Sequence, residues 1–514
     1  MTGDDVDKIT HFINGKPYQS GPERGATGGI FNPAAFSREN KVYEPCSGET
    51  IGRVLIAETY DVNAAITAAS DAFDDWSMTP AQERAAILRD FMKLVDKHHE
   101  TLAYVIRREH GKSNANAEAE ILRGLEIVEY AISIPPLLED SFSESLLTDT
   151  DHLIMRQPLG IVAGITLSNF PAMSAMWMFP VALVCGNTFV LQPNAETPSA
   201  SIVIAELLQE AGLPDGVFNV VQGDRLATDT LIQHPDVPAI SFSGTTTAAN
   251  YVFETCAHYG KRSQTLGRAL NHMIIMPDAD IEQACDALMR TAFIYAGEST
   301  MSLSVAIFVG DVGEKIIPKL KEKVIEFGIQ DGKLSDEQMP PLTSPESLDQ
   351  VKRFIQDGIL DGAEILVDGR NFIHHENPDG FWLGPSLFDK VDPSMCLYQE
   401  EVFGPILSCM HVNTLGEAIK LTNTHESSNG ASCFTSSKET AMFFAQALEV
   451  GMAGINAPIP EPMAWHGFGG WKRGLFGDMN AFGEEALRFY TRQKSIMQVK
   501  SPRIANGESF ISPY

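Results

Sequence analysis

Two short stretches carry residues whose types and placement can do chemistry. Phe242-Ser243-Gly244-Thr245 closes a short apolar run at 239–242. A glycine at that point permits a tight turn into a helix N-terminus, whose backbone N–H groups favour a phosphate. Asn169, ahead of Phe170-Pro171, follows another apolar run at 161–167. The carboxyl end of a parallel strand is where such sheets bind ligands, and an asparagine before Phe-Pro also makes a good turn. The seven cysteines, Cys46, Cys185, Cys256, Cys285, Cys396, Cys409 and Cys433, are scattered, with no Cys-x-x-Cys or Cys/His cluster. That spacing predicts no metal site and no disulfide framework, and leaves most of the thiols as small buried hydrophobes.

The elements that must hold these residues alternate. Apolar runs at 161–167, 188–191, 218–221 and 239–242 read as strands, with helices running through Trp177 and over 199–211 between them. Such alternation means βαβ units and a parallel sheet, which binds ligands at the carboxyl ends of its strands. A second α/β stretch starts near Met273, with strands at 273–276 and 305–309 around a helix at 281–295, and runs to about residue 470. Upstream, Asn14-Gly15 signals a hairpin turn. Thr79-Pro80-Ala81-Gln82 reads as a capping box with Pro80 at the first helical position. Ile87, Leu88, Phe91, Leu94 and Val95 follow at helical spacing, and a further helix ends near Gly111. Segments 146–157 and 487–499 read as extended and sit where an arm pairing with another subunit could be built.

The chain has 514 residues, enough for two large lobes with appendages, and 44% apolar against 20% charged residues is ordinary for a globular protein. Its net charge of −29 argues against nucleic acid or an anionic membrane as partner. The acidic start has no apolar core of a signal peptide, and no run reaches the roughly 18 apolar residues of a membrane span. A reducing cytoplasmic location is expected.

Several ordered blocks resemble the aldehyde dehydrogenase superfamily. They are Gly164 to Asn169-Phe170-Pro171, Trp177 to Pro180, Cys185-Gly186-Asn187-Thr188, Phe242 to Thr245, and Glu400-Glu401-Val402-Phe403-Gly404-Pro405. Asn271-His272, Met276 to Asp280, Arg123-Gly124-Leu125-Glu126 and Phe468 to Arg473 resemble its methylmalonate-semialdehyde branch, and the similarity spans nearly the whole chain. The resemblance implies an α/β fold with a Rossmann-type cofactor domain (1–141 and 158–272), a catalytic domain (273–470) and an oligomerisation arm (142–157 and 485–501). It implies a homodimer or homotetramer acting on a small-molecule carboxylate or aldehyde, with NAD and, in this branch, CoA as cofactors.

In that family a cysteine thiolate attacks the aldehyde. The branch places it in a Gly-Gln-Arg-Cys-Met block, and the matching residues here are Gly297-Glu298-Ser299-Thr300-Met301. Thr300 therefore stands at the nucleophile position, and a hydroxyl, unlike a thiol, needs a dedicated base. The superfamily's usual glutamate base matches Leu266, although the branch commonly lacks it; His272 and Glu298 are candidate replacements that the sequence does not place. Ser299 replaces one arginine of a carboxylate clamp whose other member, Arg123, is kept. Asn169 is kept as the family's oxyanion amide. Arg268, where the family has glycine, either restores positive charge, fills the nicotinamide space or is a solvated arginine. Among the cofactor positions, Ser168, Gly244, Thr245, Glu401 and Phe403 remain. Gln192 and Ala195 stand where the family's ribose-binding lysine and glutamate would be, which weakens the expectation for NAD.

Three functions compete: an ordinary semialdehyde dehydrogenase, a non-redox enzyme on a small oxo acid (decarboxylase or hydratase-like), and a pseudoenzyme that binds without turnover. Thr300, Ser299, Gln192 and Ala195 touch nucleophile, clamp and cofactor together, so the expectation is loss of cysteine-dependent, NAD-linked oxidation.

Overall fold

The computed structural model describes residues 7–19, 38–144, 150–267, 269–329, 339–460 and 462–499. Its first large sheet has eight strands in the order Leu475–Phe476, Arg262–Leu266, Ala239–Ser243, Ile161–Ile165, Thr188–Gln192, Phe218–Val220, His11–Ile13 and Lys16–Tyr18. The central strands run parallel and the flanking ones antiparallel. Ile161–Ile165, Thr188–Gln192 and Ala239–Ser243 are buried along their whole length, which explains why each reads as an uninterrupted run. The chain leaves Ile161–Ile165 in one direction through the sheet and returns on its other side at Ala239–Ser243. A switch of this kind opens a crevice at the carboxyl ends of both strands, where Asn169 and Gly244 lie.

The second sheet has seven strands in the order Glu364–Val367, Ser386–Asp389, Ile406–Val412, Leu303–Val309, Asn271–Ile275, Gly430–Phe434 and Met452–Ile455. Only its first pair is antiparallel. The amino ends of Leu303–Val309, Asn271–Ile275 and Gly430–Phe434 face the candidate site.

A third sheet pairs Thr491–Val499 with Thr150–Pro158, and that strand with Ser141–Glu144. Thr491 is buried and the strand is exposed from there to Val499. The second extended segment begins later than its sequence suggests. Residues 487–489 belong to a helix, Glu484–Phe489, whose Leu487 and Phe489 are buried. Residues 145–149 and 500–501 of the expected arm lie outside the described residues.

The expected hairpin forms: Ile13 pairs with Lys16, and Asn14 and Gly15 take φ of 52° and 71°. The helix ahead of Gly111 runs His99–His110, and Gly111 closes it in the left-handed region with φ 84°. The capping box at Thr79 does not form. Thr79 ends the preceding helix, its hydroxyl donates back to the Asp75 carbonyl, and Pro80 is the cap of Ala81–Lys97 rather than its first residue. The helix expected through Trp177 is broken into Met173–Met176 and Phe179–Val184, because Pro180 opens the second piece and has no N–H to continue the first. The helix at 281 ends at Phe293, where Ala296 and Gly297 turn with φ of 50° and 70°.

Asn187 ties the first sheet to the base of the arm. Its Oδ1 accepts from Leu159 N at 2.7 Å and Gly160 N at 3.2 Å, and its Nδ2 donates to the Ala182 and Tyr490 carbonyls, both at 3.0 Å. The side chain is fully buried, so Asn187→Ala takes the side-chain partner from Leu159 N, Gly160 N and the Tyr490 carbonyl, while the Ala182 carbonyl keeps the residue 187 N–H. The expected loss is on the order of 3 kcal/mol, measured as a shift of the urea unfolding midpoint.

Candidate functional site

Between the carboxyl edge of the first sheet and the amino edge of the second lies a cavity of about 240 Å³. Its walls are aromatic. Trp177 meets Phe468 at 4.9 Å between ring centroids, Phe468 stacks on Phe482 at 5.4 Å, and Phe170 stands edge-on to Tyr295 at 5.3 Å. Its polar lining is Glu120, Arg123, Ser299 and Thr300. The Arg123 guanidinium donates to the Glu126 carboxylate and to the Pro462 carbonyl, which aims it from its helix across to the 462–464 segment. Glu126 completes that link by accepting from Ala464 N at 3.0 Å. A guanidinium, itself paired with Glu126, in a largely aromatic box suits a small molecule with one carboxylate.

Thr300 sits in a turn that precedes the strand Leu303–Val309, and only 7% of it is exposed. Its carbonyl accepts from Asn271 Nδ2 at 2.9 Å and Asn429 Nδ2 at 3.4 Å. Ser299 Oγ accepts from Met301 N at 3.1 Å. Gly297 allows the turn to approach the next loop, since a Cβ there would lie 2.0 Å from the Gly404 carbonyl oxygen.

The opposite wall is held by an ion pair. Lys112, whose side chain is fully buried, meets Glu120 at 2.6 Å and donates to the Asn169 carbonyl at 2.8 Å. Its ammonium lies 4.5 Å from the centroid of the Phe170 ring. Glu120 Oε1 accepts from Ala172 N at 2.9 Å and Met173 N at 3.2 Å. Asn169 is thus fixed by its main chain beside the cavity wall. Glu120 reaches the cavity with its carboxylate oxygens already engaged by an ammonium and two backbone amides.

Neither sequence-level candidate for a base lines the cavity. His272 packs against Tyr398 and His425, each at 5.8 Å, and burial pushes its pKa down to about 3. Glu298 turns away to Thr343, whose N and Oγ1 both donate to it at 3.2 Å. Burial first, and then the neighbouring Glu196, push its carboxyl up to about 8, against the opposing pull of Thr343 and Lys112.

The cofactor-type residues divide into two groups. Thr245 caps the helix Thr246–His258, accepting from Ala248 N at 3.2 Å, and lines with Glu401 a cleft of about 1050 Å³. Gly244 lets the turn pass under the Phe242 ring, which a Cβ would meet at 2.4 Å. Phe403 turns with φ 51° against the Gly297 loop. The second group is engaged internally. Ser168 bonds the Glu196 carboxyl. Gln192 Nε2 donates to the Asp224 carbonyl and to Thr228 Oγ1, both at 3.0 Å. Ala195 packs on the apolar cluster of Val42, Val54 and Ile56. Arg268 lies outside the described residues.

Sequence reasoning missed Lys112, Glu120 and the Asn271 amide. The one available signal was Lys112 following the helix-ending Gly111, and nothing in a sequence marks a lysine as wholly buried.

The model of the aldehyde dehydrogenase family matches residues 32–496. A malonate-semialdehyde dehydrogenase of Pseudomonas aeruginosa is 45% identical over 98% of both chains. A putative methylmalonate-semialdehyde dehydrogenase of Sinorhizobium meliloti, solved in complex with NAD, superposes with a TM-score of 0.91 at 41% identity, covering 98% of this chain and 99% of that one. A methylmalonate-semialdehyde dehydrogenase of Oceanimonas doudoroffii superposes with a TM-score of 0.90 at 41% identity, covering 96% and 98%.

The buried Glu298 carboxyl gives a pH test. The unfolded chain releases this proton near pH 4.5, whereas the folded chain holds it to about pH 8, so rising pH removes stability across that window. Glu298→Gln keeps the neutral shape and removes the slope. The expected melting-temperature advantage of the variant is small near pH 5 and grows to a few degrees at pH 8, read by thermal scans in matched buffers.

Proposed function

The chain belongs to the aldehyde dehydrogenase family, and on that premise we propose that its cavity receives a small carboxylate-bearing aldehyde or oxo acid and that it lacks thiol-dependent, NAD-linked oxidation. The substrate class is supported by Arg123 facing the aromatic box and by the semialdehydes in the relatives' names. The loss of thiol chemistry rests on one observation. Thr300 occupies the cavity wall, and none of the seven cysteines lines that cavity. Burial pushes Cys185, Cys396 and Cys433 up to about 12, and Cys256 and Cys285 up to about 11, so these thiols stay protonated. A threonine hydroxyl has no accessible anion of its own, and Glu120, His272 and Glu298 are each committed elsewhere.

The dinucleotide fits at one end only. Thr245 and the helix start behind it would hold phosphate, and Glu401 would hold the nicotinamide ribose. NAD would supply a hydride acceptor there. The adenosine end does not fit in the same way: Gln192 has both amide hydrogens engaged, and Ala195 is part of an apolar patch. CoA is carried by the family branch alone. The exposed outer strand Thr491–Val499 supports assembly into a homodimer or homotetramer. No described helix is long and apolar enough to cross a membrane.

A second reading, an active NAD-dependent semialdehyde dehydrogenase with a non-cysteine mechanism, is favoured by the NAD-bound relative and by the open cleft beside Thr245 and Glu401. Calorimetric titration with NAD and NADP, followed by incubation with malonate semialdehyde and methylmalonate semialdehyde, separates the two. The expected outcome is no NADH absorbance from the pure protein; steady NADH formation would establish the second reading. Oxo-acid consumption without NADH would assign a decarboxylase or hydratase-like step. Thr300→Cys with Ser299→Arg is expected to give little NADH until Gln192→Lys and Ala195→Glu are added, and full activity from the first pair alone would refute the account of the adenosine end.

A further inference from the structure

We propose that Asn271 is a positioning residue for Thr300, its side-chain amide setting where residue 300 stands in the cavity wall. The proposal rests on the reading of that wall given above. The ladder between Asn271–Ile275 and Leu303–Val309 pairs Asn271 with Leu303, then slips a residue so that His272 pairs with Val305. No strand pairing extends back beyond Leu303, so residues 299–302 have no sheet to fix them. The Asn271 amide takes over. Nδ2 donates to the Thr300 carbonyl at 2.9 Å and the Ser302 carbonyl at 2.7 Å, while Oδ1 accepts from Gly430 N at 3.0 Å.

These bonds join the turn to two neighbouring strands at once. Both amide hydrogens are used, and the orientation is determined, since a flipped amide would set its oxygen against two carbonyls. The side chain is fully buried, so no water stands in for it. Asn429 supplies a longer, secondary contact to the same Thr300 carbonyl at 3.4 Å. Asp at 271 would point carboxylate oxygens at two carbonyls. Ala would take the Asn271 donor from both carbonyls, leaving the Thr300 carbonyl only the longer Asn429 contact, and Ser is too short to span both.

The test uses a reporter thiol. Thr300→Cys is made in the full chain, and alkylation at that position is followed by peptide mass spectrometry with neutral iodoacetamide and anionic iodoacetate. The half-buried Cys46 serves as the rate control, and Cys396, whose thiol burial and Asp361 keep protonated, as the control for unfolding. With Asn271 present, the introduced thiol should prefer iodoacetate over iodoacetamide relative to Cys46, because Arg123 shares its cavity. Adding Asn271→Ala or Asn271→Asp should abolish that preference and change the iodoacetamide rate by about tenfold or more, while Cys46 and Cys396 keep theirs. General unfolding would move all three thiols together.

Should Asn271→Ala fail to fold, Asn271→Ser and Asn429→Ala carry the test, with the smaller change expected from Asn429. Unchanged rate and preference in the folded Asn271 variants overturn the proposal. A parent thiol that reacts but shows no preference for iodoacetate overturns the carboxylate-site reading, and the iodoacetamide rates still decide the role of Asn271. A parent thiol inert to both reagents overturns the placement of residue 300 in the cavity wall, and the proposal with it.

Discussion

The buried pair of Lys112 and Glu120 is the constraint on which the candidate site depends. Both side chains are fully buried, and two charges taken out of water cost several kcal/mol each unless every lone pair and proton finds a partner. Here the partners are the walls of the cavity. The ammonium is shared between Glu120, the Asn169 carbonyl and the face of Phe170, and the carboxylate takes the two amide hydrogens at Ala172 and Met173. The 169–173 turn cannot shift without stranding one of these charges. A segment with almost no regular structure, broken further by Pro171 and Pro180, therefore has one position, dictated from the helical layer that carries Lys112 and Glu120.

The same ammonium limits the facing wall. Glu298 is near enough to feel Lys112, but Glu120 already neutralises that charge, so a second carboxylate would be left unbalanced in a dry interior. Protonation of Glu298 resolves the conflict, and Thr343 then holds it away from the cavity. One wall is fixed by an ion pair and the other by neutral hydrogen bonds, of the Glu298 carboxyl and of the Asn271 amide. Arg123 is left as the cation among the cavity's lining residues, which matters in a chain whose net charge of −29 otherwise repels an anion.

The strands were legible because fully buried parallel strands read as unbroken apolar runs bounded by Gly, Asn and Pro. The Asn14-Gly15 turn and the Gly111 cap were legible because each needs a backbone conformation that few residues take. The misreadings have two causes. At Thr79 and Leu487 the surroundings overrode a local signal, through a helix already ending and an apolar side chain that packs from a short helix as well as from a strand; at Pro180 the break follows from a local signal, the missing N–H. In the site, Thr300 and Arg123 were found through the resemblance to the family's motifs. Lys112, Glu120 and Asn271 were not, because their roles lie in long-range bonds, 57 residues in sequence from Lys112 to Asn169 and 159 from Asn271 to Gly430.

Three of the departures from the family pattern are closed by local contacts. Gln192 bridges to the start of the next helix through Asp224 and Thr228, Ala195 fills an apolar cluster, and the Ser299 hydroxyl caps Met301 N within its own turn. A site losing function by drift alone would be expected to retain stranded polar groups or holes where larger or charged side chains had been, because each costs only part of a marginal stability. Here the replacements bond or pack with what surrounds them, and the cavity keeps both its cation and its rigid walls. Under the function proposed above, these contacts leave a rigid, cation-bearing pocket in which the polar groups of Gln192 and Ser299 already have partners.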